Sequence, residues 1–194
     1  MNYIIVGYYT KDTIYEEKAQ TFVKSLNKFA IPHDIVGIDN RGDWYKNTVY
    51  KPTFLKKMLC KHFPTSIVYV DVDAEFMKYP ELFDTLDCNI GAHEFDRSCY
   101  RKSDKGKEML SGTIFLKNND EVYDVVEKWE AECKANPRRW DQKSLEIVVN
   151  NDYYRLPGEY CKIWDRWSDV ITDPVIVHYQ ASRIVRKNGG KLTL

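Results

Sequence analysis

A chain of 194 residues, 43% of them hydrophobic and 30% charged, has the size of one domain and is too apolar to remain disordered. Its 29 basic residues balance 29 acidic ones, which excludes the counterion-releasing basic surface of a generic nucleic-acid binder. No apolar stretch approaches the ~20 residues of a membrane span, Ile67-Val68-Tyr69-Val70 being typical of the longest.

Taken in chain order, the N-terminus lacks the basic region and cleavage site of a signal peptide and is expected to enter a strand at residues 3–8. Thr13-Ile14-Tyr15-Glu16 has the capping-box pattern, and Phe22, Val23, Leu26, Phe29 and Ala30 then recur at helical spacing. A second strand fits residues 34–38. Pro52 suits the first turn of a helix carrying Phe54, Leu55, Met58 and Leu59. The third strand, 66–72, is the most apolar segment and ends in two aspartates. Short strands are expected at 89–92 and 113–116, with a polar loop at 94–108 between them. Helices follow around Val122, Val125, Val126 and Trp129, and around Leu145, Val148 and Val149, separated by Pro137. Strands at 153–156 and 175–178 close the pattern before a basic tail. Alternating strands and helices predict a single α/β domain, residues 1–194, with a mostly parallel sheet whose ligands sit beyond the strands' carboxyl ends. The five cysteines at 60, 88, 99, 133 and 161 are scattered, odd in number and without a C-x-x-C pair. They read as reduced thiols of a cytoplasmic protein.

Asp71-Val72-Asp73 carries the sharpest chemistry. Leaving a strand, residues i and i+2 share a face, so both carboxylates project the same way and repel unless a cation lies between them. Hard oxygen ligands at a strand end suit Mg²⁺ or Mn²⁺, which would hold a diphosphate. Solvated turn aspartates are the bland alternative. A D-x-D also marks haloacid-dehalogenase phosphatases, but there it lies on the first strand, and here it follows the third and leads into Ala74-Glu75.

The layout resembles glycosyltransferases of the GT-A fold, in which a D-x-D ends a central strand and binds Mn²⁺ with a nucleotide-sugar diphosphate. The resemblance runs along nearly the whole chain. Tyr8-Tyr9-Thr10 is similar to the nucleotide-binding edge, and Tyr50-Lys51-Pro52-Thr53-Phe54 to the basic helix start facing the donor. Ile90-Gly91-Ala92-His93 and Ser111-Gly112-Thr113 are similar to the strand and small-residue turn flanking the sugar pocket. Trp140-Asp141-Gln142 resembles the acidic-Gln pair beside the transferred sugar, and Val175-Ile176-Val177-His178 the strand whose histidine completes the metal site. Among members of that fold, it resembles the small stand-alone transferase domains of large algal viruses (chloroviruses) and family-8-like transferases.

The resemblance implies a metal triad of Asp71, Asp73 and His178, with Mn²⁺ favoured over Mg²⁺ by a neutral imidazole. It implies donor contacts from Tyr8, Tyr9, Thr10, Lys51, Asp71, Val72, His93, Ser111, Gly112 and Thr113, and a catalytic or sugar-holding role for Asp141 and Gln142. Each has a plainer reading: His178 as a hydrogen-bonded core histidine, Asp141 as a helix cap, Ser111-Gly112-Thr113 as an ordinary turn. Arg183, Arg186 and Lys187 are candidates to share the charge of a diphosphate leaving group; Asp96 and Arg97 are weaker candidates. Trp164 and Trp167 would either pack the C-terminal segment or stack an acceptor sugar.

The expected function is therefore transfer of a hexose from a nucleotide-diphosphate sugar, a UDP-sugar by preference, to a glycan hydroxyl, with no nucleic-acid partner and no membrane span. A non-catalytic nucleotide-sugar-binding module and a metal-dependent phosphohydrolase are the alternatives.

Overall fold

The computed structural model describes residues 2–99, 103–166 and 170–183. In chain order the elements are β1 (Tyr3–Thr10), α1 (Ile14–Lys28), β2 (His33–Ile38), α2 (Trp44–Thr48), α3 (Lys51–His62), β3 (Ser66–Val70), β4 (Ala74–Phe76) and α4 (Leu82–Thr85). They continue with β5 (Ile90–Asp96), β6 (Lys107–Leu116), α5 (Asp120–Ala135), α6 (Asp141–Val149), β7 (Tyr154–Arg155), β8 (Lys162–Ile163) and β9 (Ile176–His178).

A six-stranded sheet runs in the order β2-β1-β3-β6-β5-β7. β1 pairs in parallel with both β2 and β3, β5 pairs in parallel with β7, and β6 lies antiparallel between β3 and β5. The sheet is thus mixed but mostly parallel, and the carboxyl ends of β1, β2 and β3 open on one edge. A smaller sheet, β4-β9-β8, stands beside that edge.

Strand alternation divides the core between the two faces of the large sheet. Val6, Tyr8, Ile67 and Tyr69 pack under α3, α5 and α6, against Leu55, Leu59, Val122, Val126, Trp129 and Leu145. Tyr3, Ile5, Val68 and Val70 pack the other way, against Phe22 and Leu26 of α1 and against Phe76 and Ile176 of the small sheet. Each of these fully buried aliphatic or aromatic side chains contributes roughly 1.5–3 kcal/mol. Gly7 is required where β1 passes the end of β3, because a Cβ there would lie 2.9 Å from the Val70 carbonyl oxygen.

Helix starts follow local chemistry. Thr13 caps α1 by accepting from the Tyr15 amide, while Glu16 reaches back to the Asp12 amide rather than to the cap itself. Asn119 caps α5 on the Val122 amide. Pro52 lies in the first turn of α3, where its missing N–H is harmless.

Three expectations are corrected. β3 stops at Val70, and the Ala74 amide bonds the Asp71 carbonyl at 3.1 Å, so Asp71 and Asp73 stand in a turn and not on an extended strand. The segment 94–108 is not all loop: Phe95 pairs with Glu108 and Asp96 with Lys107, extending β5 and β6 into a long hairpin. β4 and β8, three and two residues long, were not anticipated; hydrophobic periodicity carries no signal over so few positions.

Candidate active site

A cleft of about 430 Å³ opens at the carboxyl ends of β1 and β3. Such a volume suits a cofactor- or nucleotide-sized ligand. Tyr8, Tyr9 and Thr10 line one wall, Lys51, Trp44 and Asn47 another, and Asp71, Val72 and Asp73 the floor. Ser111, Trp140, Asp141, Gln142, Gln180 and Arg183 complete it.

The first turn of α3 aims Lys51 into this cleft. Its side chain is buried, with Nζ 2.9 Å from Asp141 Oδ2 and 3.3 Å from Asp71 Oδ1. Nζ also donates to the Ser111 carbonyl at 3.1 Å and lies 4.6 Å from the centre of the Tyr69 ring. Burial alone would lower the ammonium pKa, but the charges of Asp141 and Asp71 overcome it and hold it above its usual value. Tyr69 donates its hydroxyl to Asp71 Oδ1 at 2.7 Å.

Asp141 is the first residue of α6, and Trp140 rather than Asp141 occupies the cap position. The Asp141 carboxylate accepts from Ser111 Oγ at 3.1 Å in addition to Lys51. Trp129 of α5, wholly buried, donates its indole N–H to the Asp141 carbonyl at 2.8 Å and so fixes the start of α6 against the sheet. The side chain of Gln142 accepts from the Ser111 amide at 3.3 Å. Asp141 thus occupies the first turn of α6, as the plainer reading of a helix start has it, and its carboxylate also meets Lys51 and Ser111.

A second constellation adjoins the first. Asp71, Asp73 and His178 each offer a ligand atom, all within 4.8 Å of one another. The antiparallel pairing of β4 with β9 sets Ala74 opposite His178, which carries the histidine beside the Asp71–Asp73 turn. Gly112 leaves the necessary room: a Cβ there would come within 3.1 Å of the His178 ring and 3.3 Å of Asp71 Oδ2. Burial and then the neighbouring Asp71 charge push the Asp73 carboxyl up to about 6, although the Ala181 amide, at 2.7 Å, opposes this. Burial drives the His178 imidazole down to about 4, so it is neutral at physiological pH and has a lone pair to give. Two carboxylates strained by mutual repulsion and one neutral imidazole fit a divalent cation.

The remaining expected residues fall into place unevenly. Thr10 and Thr13 share a hydroxyl contact at 2.9 Å at the end of β1, and the Tyr8 hydroxyl donates to the Asn47 carbonyl. Thr113 is fully buried behind His178. Arg183 lines the cleft with its guanidinium on Asp165 at 2.6 Å, and Arg97 lines it as well. His93 does not line the cleft: a register shift in the ladder after Ala92 re-aims it, and its Nδ1 bonds the Leu156 carbonyl at 2.8 Å. Asp96 binds the Ser98 amide at the far end of the hairpin, and Trp164 is exposed beside β9, away from the cleft. Trp167, Arg186 and Lys187 lie outside the described residues. Trp44, not singled out in the sequence, lines the cleft with Trp140 of the Trp140-Asp141-Gln142 segment, edge to face at 5.8 Å.

The profile of the nucleotide-diphospho-sugar transferase family matches residues 17–192. No curated protein matches the sequence. Among solved structures, a glycosyltransferase involved in glycosylation of the major capsid of PBCV-1 superposes with a TM-score of 0.68 at 17% identity, over 96% of this chain and 97% of that one. The glycosyltransferase GlyE of Streptococcus pneumoniae TIGR4 gives 0.65 at 15%, over 92% of this chain and 54% of its own. The bifunctional glycosyltransferase WbbM gives 0.65 at 12%, over 91% and 45%. The chain thus spans about half the length of the latter two, and at these identities the likeness is one of fold.

Proposed function

From the premise that the chain belongs to the nucleotide-diphospho-sugar transferase family, we propose that it moves a hexose from a UDP-sugar to a hydroxyl of a glycan acceptor, using Mn²⁺ or Mg²⁺. The observation that carries this reading is the meeting of two constellations in one cleft, Asp71-Asp73-His178 and Lys51-Asp141-Ser111. The first would hold the cation and the second would hold the sugar. A bound cation supplies Lewis-acid stabilisation of the charge that develops on the departing diphosphate.

The chain's own groups do the rest. Tyr9 and Thr10 offer a wall to the nucleoside at the end of β1. Lys51, fixed between two carboxylates, places a permanent positive charge next to the reacting centre without reorganising. Asp141 and Gln142 present acceptor oxygens to the sugar hydroxyls, and an aspartate held by an ammonium serves better as a fixed acceptor than as a proton-abstracting base. The half-buried ring of Trp44 and the exposed ring of Trp140 suit a sugar's apolar face. Cysteines that form no disulfide support a reducing, cytoplasmic setting, and no helix of the described residues is long and apolar enough to cross a membrane. The reading treats residues 1–194 as one domain, supported by a family match across nearly all of it.

Incubation with a panel of UDP-sugars and Mn²⁺, following UDP release and the fate of the sugar, tests the proposal. Sugar delivered to a saccharide supports it. Diphosphate hydrolysis releasing a sugar phosphate, or UDP-sugar binding without turnover against any acceptor, contradicts it.

A further inference from the structure

His178 is the one member of the cation triad with two distinct donor atoms, and only a lone pair can take a metal. Which nitrogen carries it is set by what the other nitrogen bonds. His178 Nε2 lies 2.9 Å from Thr113 Oγ1, in a fully buried environment. Thr113 Oγ1 is also 3.1 Å from the carbonyl of Tyr160. A carbonyl can only accept, and a hydroxyl has a single proton. The Cys161 thiol also hydrogen-bonds the Thr113 side chain, and an S–H can donate to it; with the hydroxyl proton on the Tyr160 carbonyl, the hydroxyl turns lone pairs towards His178. In that arrangement Nε2 is the N–H donor, and in a neutral imidazole the lone pair falls to Nδ1. The Nδ1 side faces the Gly112 gap, where a Cβ would sit 3.2 Å from Nδ1 and 3.3 Å from Asp71 Oδ2.

We propose that Thr113 is a positioning residue which, oriented by the Tyr160 carbonyl, holds His178 as its Nε2–H tautomer and turns the Nδ1 lone pair onto a divalent cation shared with Asp71 and Asp73. The proposal rests on the cation reading given above. It accounts for a hydroxyl at a position with no exposed surface, in ladder register with Val70, where a valine of the same shape would fill the core without any polar group to satisfy. It also gives a reason for glycine at 112, since any larger residue would crowd the nitrogen that has to be free.

Long-range ¹H–¹⁵N correlation of the histidine side chains, on the metal-free protein at pH 7, reads the tautomer directly and needs no variant. The expected spectrum assigns the proton to Nε2 of His178; a proton on Nδ1 overturns the proposal. Titration with Mn²⁺ alone, followed by electron paramagnetic resonance, then compares the wild type with Thr113→Val and Thr113→Ser. Loss of a hydrogen bond behind a metal-binding histidine weakens metal binding by ~10–100-fold, which is expected for Thr113→Val together with mixed tautomers. Thr113→Ser restores both. Unchanged affinity and tautomer in folded Thr113→Val would refute the role of Thr113 while leaving the cation site intact, whereas a wild type that binds no Mn²⁺ refutes the cation reading itself.

Discussion

At the scale of single residues, the site is a set of charges that only make sense together. Lys51 is buried, yet stays charged because Asp141 and Asp71 face it. Asp141→Asn keeps the shape and removes the charge of a preorganised acceptor, so UDP affinity should stay within about twofold while kcat falls on the order of 100-fold, a loss made mainly in the transition state. A purely structural role predicts a lowered melting temperature with normal kcat, and measuring both on one preparation decides between them. Asp73 makes a second prediction. Its carboxyl is raised to about 6, so without a cation it takes up a proton as the pH falls through that value, and proton and cation then compete for it. His178, lowered to about 4, stays neutral over the same interval. Mn²⁺ affinity should accordingly be flat above pH 7 and drop about tenfold by pH 5, with the midpoint set by Asp73. A midpoint near the ordinary histidine value that Asp73→Asn leaves unmoved would contradict this.

At the scale of elements, the sequence was most legible where periodicity runs long. The apolar spacing of α1, α3, α5 and α6 and the unbroken run of β3 could be read directly, as could the Asp71-Val72-Asp73 pair that follows it, although the pair was expected on an extended strand and stands in a turn. Legibility failed where tertiary pairing decides. β6 runs from Lys107 because its polar half is matched by β5, and nothing local in Lys107-Glu108 announces that. His93 looked like a pocket residue until the register shift after Ala92 turned it towards Leu156. Trp44 was hidden for a related reason: it belongs to a five-residue helix that periodicity cannot detect, and its partner Trp140 is far away in sequence. Trp129 had the helical spacing of a core residue, and its bond to the Asp141 carbonyl was beyond any pattern. Trp129→Phe should cost about 2 kcal/mol through that orphaned carbonyl and a small cavity, lowering the melting temperature by roughly 4–8 °C. Because α6 then loses its anchor, kcat should fall while UDP binding at the β1 wall is largely kept; unchanged kcat would show that the bond serves stability alone.

At the scale of the whole molecule, the fold divides the labour between two sheets. The large sheet brings the β1 and β3 ends and the start of α3 to one edge, and the small sheet returns the chain so that His178 reaches the Asp71–Asp73 turn from a distant part of the sequence. The Asp71, Asp73 and His178 cluster therefore forms only once both sheets are assembled, and it links the C-terminal segment to the strand end that would carry the donor's diphosphate. The central claim is that this linkage, made through a cation, is what holds the donor. Titration calorimetry of UDP into the protein, with Mn²⁺ present and then with EDTA, measures it directly. The account predicts binding in Mn²⁺ that EDTA abolishes and that Asp73→Ala nearly eliminates, with His178→Ala losing less because the oxygen ligands remain. UDP binding of the same affinity in EDTA as in Mn²⁺ would contradict it.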